Sequence, residues 1–155
     1  MNKKLPFRGR IIDENINFPI KPEDIPSHGR TFAIAFDGQL DTARSAWLIV
    51  ECLKEKGQGW VPFSWAELDC RLDGEGFLNR GNFLFNRLDE PANRIVNNQI
   101  VPWGGGWIVC IDGQYRVTEE FIWRCYFGRP IKIDCEKDQT LIKTAIEELS
   151  SGQSA

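Results

Sequence analysis

The chain has 155 residues, of which 42% are apolar and 26% charged, with a net charge of −3 and an isoelectric point near 5.3. That length builds one domain with a real core, and the composition is that of a soluble globular protein. The acidic balance argues against indiscriminate nucleic-acid binding, although a local basic face remains compatible with it. No apolar run approaches the ~20 residues of a membrane span. The basic start Met-Asn-Lys-Lys-Leu-Pro-Phe-Arg has no apolar stretch behind it, so no signal peptide is read and a cytoplasmic protein is expected.

Residues 1–30 hold four of the eight prolines (Pro6, Pro19, Pro22 and Pro26) and read as an extended arm. Ile11-Ile12 and Ile16-Asn17-Phe18 within it suggest short edge strands. The arm either packs over the domain or reaches a partner. From Thr31 the pattern alternates, with Phe32, Ile34 and Phe36 on one side, which predicts a half-buried strand ended by Asp37-Gly38. Asp41 or Thr42 then caps a helix to about Lys56, with Ala43, Ala46, Trp47, Val50 and Leu53 along one stripe and Gly57 and Gly59 as stop signals.

An extended piece at 60–63 leads into Ser64-Trp65-Ala66-Glu67, a capping-box pattern that predicts a helix to about Leu72. A helical segment follows over 77–88, and a shorter helix begins at Pro91, carries Ile95 and Val96 inward and ends near Asn97-Asn98. Asp112-Gly113 between apolar stretches is a strong hairpin signal. Thr118, followed by Glu119 and Glu120, opens a helix that Gly128-Arg129-Pro130 ends. Ile131-Lys132-Ile133 suggests a brief strand. Asp138 or Thr140 to Leu149 reads as an amphipathic helix with Leu141, Ile142, Ala145, Ile146 and Leu149 on one side, and residues 150–155 as a disordered tail.

Catalytic and metal chemistry find little support. The five cysteines are widely spaced and none forms a C-x-x-C pair, so neither a zinc site nor any other cofactor site is expected, and reduced, buried thiols are. His28, the only histidine, lies in a Pro-rich stretch without an obvious carboxylate partner. Asp69, Asp73 and Glu75 lack the spacing of a calcium loop, and Gly104-Gly105-Gly106 has no following Lys-Ser/Thr to make a phosphate loop. A non-enzyme is expected.

Over residues 41–127 the order is helix, short strand, helix, helix, hairpin, helix. The segments Ile95-Val96-Asn97-Asn98-Gln99-Ile100-Val101 and Tyr115-Arg116-Val117-Thr118-Glu119-Glu120-Phe121-Ile122 carry the likeness most clearly. This order resembles a winged helix-turn-helix domain. The resemblance implies an α+β fold in which a three-helix core bears a β-hairpin wing, here extended by the N-terminal strand-bearing arm and a C-terminal helix. The globular domain is expected over 31–149.

The resemblance further implies double-stranded DNA as partner, with a helix within 77–98 entering the major groove. Arg80, Arg87 and Arg94 recur every seven residues there, beside Asn82, Asn86 and Asn93, and Arg and Asn suit contacts to guanine and adenine. Arg71 and Arg116 are placed to meet phosphates. A DNA-associated regulator or accessory protein is thus the leading expectation. The alternative is a protein-interaction module, either an inhibitor or an assembly subunit. Six Trp and ten Phe are many for this length, and Trp103 and Trp107 around the glycine triplet are candidate hot spots. The sequence leaves the oligomeric state open.

Overall fold

The computed structural model of the chain describes residues 10–36, 40–57, 59–64, 67, 94–96, 99–101, 108–111 and 114–153. In chain order these form strand β1 (Ile11–Ile12), a 3-10 turn at Pro22–Asp24, and helices α1 (Gly29–Ala35) and α2 (Leu40–Lys56). Strands β2 (Phe63–Ser64), β3 (Arg94–Val96), β4 (Gln99–Val101), β5 (Ile108–Ile111) and β6 (Gln114–Thr118) follow, then helices α3 (Glu119–Phe127) and α4 (Glu136–Gln153). The class is α+β.

β6 is the strand on which the main sheet is built. Along it Tyr115 and Val117 turn into the core and Gln114 to solvent, the two-residue alternation of a half-buried strand. One edge of β6 pairs antiparallel with β5, in register from Ile108↔Val117 to Ile111↔Gln114. The other edge is shared end to end: β1 takes Val117 and Thr118, and β2 takes Tyr115 and Gln114. Both short strands are too small to stand alone, and each gains a paired backbone from β6. The Ile111↔Gln114 register leaves a two-residue link, as Asp-Gly predicts, although 112–113 lie outside the described residues.

α3 follows β6 without a loop. Thr118 occupies the cap position in extended conformation, but its side chain makes no capping bond. The free amide of Glu119 instead donates to the carbonyl of Arg10 at 2.8 Å, so the chain before β1 closes the helix start. Glu120 to Cys125 are all buried, which makes α3 a core helix rather than a surface one. Trp123 stacks on Phe127 at 5.5 Å and meets Phe18 at 5.5 Å, and Phe36 packs on Phe121 at 5.8 Å.

The arm, from residue 10 onward, is part of this core. Ile12, Phe18, Ile20 and Ile25 are buried. Trp60 Nε1 donates to the carbonyl of Ile20 at 2.8 Å, and Lys54 Nζ donates to the carbonyl of Ile25 at 2.7 Å. Of the two placements the sequence leaves open for the arm, residues 10–30 take the first and pack over the domain. Ile16–Phe18 forms turns rather than a strand, with Ile16 N–H donating to the carbonyl of Asp13.

Four further expectations are corrected. Thr31–Phe36 lies in and just after α1, not in a strand. Its apolar residues satisfy both periods, and the helix buries Phe32, Ala35 and Phe36 at i, i+3 and i+4 while leaving Ile34 54% exposed. Residues 94–96 and 99–101 form the antiparallel strand pair β3–β4, with Ile95↔Ile100 paired, so 94–96 is a strand rather than a helix end. The β-branched pairs on either side of Asn97-Asn98 carried that signal. Ile131–Ile133 forms no strand, and α4 begins at Glu136 and continues to Gln153 through most of the expected tail.

Gly128 ends α3 in the left-handed conformation at φ 68°, its N–H donating to the carbonyl of Arg124. A Cβ there would lie 2.8 Å from Thr31 Cγ2 of α1, whereas one at Gly57, with φ 74°, would meet nothing within 4 Å. Gly57→Ala should cost about 1–2 kcal/mol from backbone strain alone. Gly128→Ala should cost more, since the Thr31 side chain or α1 itself must also give way. Urea unfolding of the two variants measures the difference, and equal losses would show that the close approach contributes nothing.

Candidate functional site

α4 sets its inner face by a helical repeat. Asp138, Ile142 and Ala145 are buried and Leu149 is half-buried, while Leu141 and Ile146 flank that stripe and are each 37% exposed. On the Ile146 side, α4 meets the first residue of α3 and the loop before α4, and they enclose an open groove of about 430 Å³. Ile133, Ile142 and Ile146 supply its apolar surface, and Glu119, Gln139, Lys143 and Glu147 its polar one.

Two anchors fix the walls. Glu119 accepts from Arg10 Nε at 3.1 Å. Burial raises its pKa and the Arg10 charge lowers it, with burial prevailing, so this carboxyl holds its proton more tightly than a free glutamate. Asp138, in the first turn of α4, accepts from Lys132 N–H at 2.8 Å and from Arg129 Nη1 at 3.2 Å. Burial alone would raise its pKa, but these two hydrogen bonds and the charges of Arg129 and Lys137 outweigh it. Its carboxyl therefore titrates below the ordinary aspartate value. Asp138 pins the start of α4 to the loop that carries Ile133.

The sequence-predicted DNA contacts are not brought together among the described residues. Arg116 is turned along the sheet, with Nη1 2.9 Å from Asp13 Oδ2 and both side chains mostly buried. Its guanidinium ties the central strand to the chain just after β1. Arg94 lies on strand β3, so it does not continue a helical face with Arg80 and Arg87. Arg71, Arg80, Asn82, Asn86, Arg87 and Asn93 lie outside the described residues, as do Trp103 and Trp107.

His28 is the N-cap of α1. Its ring accepts from Thr31 N–H at 3.4 Å and lies 2.7 Å from Thr31 Oγ1. Cys125 is a buried free thiol whose pKa burial pushes well above the usual value, against the opposing charge of Arg124. Among the described residues, no group of three or more His, Cys, Asp or Glu is arranged to hold a metal ion. Among them, too, no helix is long and apolar enough to cross a membrane. No protein family, curated protein or solved structure matches the chain.

The groove was not singled out from the sequence, yet its signal was present. Leu141 to Ile146, read as one apolar side of α4, spans about 140° at ~100° per residue, wider than the stripe that the domain covers. Two stability outcomes follow from the anchors. Arg116→Ala should lower stability by about 1–3 kcal/mol in urea unfolding, because Asp13 loses its charged partner in a mostly buried position. An unchanged midpoint would return Arg116 to the surface. Asp138→Asn should cost about 1.5–3 kcal/mol at neutral pH. Because the folded pKa is depressed, that contribution is complete above the ordinary aspartate value and lost as pH falls through the folded one. The gap between variant and wild type should therefore close in strong acid.

Proposed function

We propose that the protein is a non-catalytic, protein-binding module whose contact surface is the groove between α4 and the start of α3. The observation that carries this reading is an apolar trough bordered by charges of both signs, with Ile146 left 37% exposed on its wall. The use of His28 as a helix cap and the burial of the Cys125 thiol support a non-enzymatic role. The buried free thiols of Cys52 and Cys125 support residence in a reducing compartment such as the cytoplasm.

A photo-cross-linking residue at position 146 should give discrete protein adducts in cells, and one at the exposed Lys137 should not. Absence of adducts at 146 would end this reading.

A second reading, a DNA-associated regulator with a winged-helix-like centre, is favoured by one feature of the sheet. The strand after the long helix, β2, pairs with the second strand of the hairpin, β6, so the hairpin is tied to a helical core as a wing would be. Its contacts would come from Arg71, Arg80, Asn82, Asn86, Arg87 and Asn93. On that reading a duplex should bind in a salt-dependent way, and replacing Arg80 and Arg87 together by Ala should reduce the salt slope by about 2. A protein that shifts no duplex at low ionic strength excludes it.

A further inference from the structure

Resting on the protein-binding reading of the same groove, we propose that its occupant is a second copy of this chain, docked about a two-fold axis with the two α4 helices antiparallel. Such an interface presents the same patch twice, so the patch must complement itself. A rim of one sign would repel its own copy, whereas this rim carries Lys143 and Glu147 one turn apart. Both side chains are exposed, and neither forms an ion pair with another described residue. Lys preceding Glu at i, i+4 is also the poorer order for a pair within one helix.

An axis at the level of Ala145 sets Lys143 against the partner's Glu147 and Glu147 against the partner's Lys143. The same axis leaves Ile146 and the partner's Ile146 offset by only ~3 Å along the helices, at 1.5 Å per residue. Each can then cover apolar surface that the single chain leaves wet. The contact is small. An 18-residue helix is ~27 Å long and offers a strip of about 300 Å², well under the ~800 Å² per partner of a standard interface. The dimer is accordingly weak and concentration-dependent.

Sedimentation equilibrium of the full chain between about 10 µM and 1 mM should show reversible monomer–dimer exchange. Lys143→Glu or Glu147→Lys alone should weaken it by about tenfold or more, since each places two like-charge contacts in the seam. The double variant should restore it, with helicity by circular dichroism unchanged throughout. A wild type that stays monomeric over this range overturns the self-association. The protein-binding reading is judged separately, by whether adducts at position 146 form at all, with this chain or with another protein. Failure of the double variant to recover overturns the antiparallel geometry. Dimerisation seen only in a variant lacking residues 1–9 also overturns the proposal, because the groove is then filled from within the chain.

Discussion

A buried guanidinium sets the terms for the rest of this fold. Arg124 lies in the core with its side chain 6% exposed, and taking such a charge out of water costs several kcal/mol unless partners replace the water. Its Nε donates to the carbonyl of Ala35 at 3.0 Å, its Nη1 lies 3.8 Å from the Glu120 carboxylate, and its plane sits over the Phe36 ring at 5.4 Å. The carbonyl of Ala35 is among the last of α1, which find no acceptor role inside their own helix. The end of α1 and the buried face of α3 thus satisfy one another. Such a pair is weak evidence of net stability, but it fixes where two elements meet. Phe32, Phe36 and Phe121 pack around that meeting point.

From this junction the remaining geometry is constrained in both directions along the chain. Backwards, α3 continues β6 without a loop, so placing the helix also places the central strand and the three strands paired to it. Forwards, Gly128 turns the chain against α1, and the loop at 129–135 returns it to α4, whose start Asp138 ties to that loop. α4 is held by its first turn and by one apolar stripe. Its Ile146 flank extends past the domain it covers, and the groove is the space left there.

Local chemistry was legible wherever it alone decided the outcome. The hairpin about 112–113, the helix from 119 to 127, its glycine stop and the long helix ending at Lys56 follow from turn residues, caps and a 3.6-residue period. Residues 31–36 were ambiguous because five of the six are apolar, so strand and helix periods fit alike, and the histidine cap that selects the helix is an unusual one. Residues 94–96 gave helical and strand signals together, and pairing with 99–101 prevailed. That residues 10–30 fold into the core could not be read locally, since the contacts of Ile20 with Trp60 and of Ile25 with Lys54 span 40 and 29 residues.

The candidate site was the least legible part for a related physical reason. A sequence shows how many cations a chain carries but not which anions they face. Arg10 holds Glu119, Arg116 holds Asp13, Arg129 holds Asp138, and Arg124 is spent inside the core. Each is a basic residue that adds little to any field outside the protein, because a nearby carboxylate or buried carbonyl already faces it. A surface that remains able to bind is therefore defined by what the fold leaves uncovered. Among the described residues one such surface is the apolar edge of α4, with Lys143 and Glu147 exposed beside Ile146.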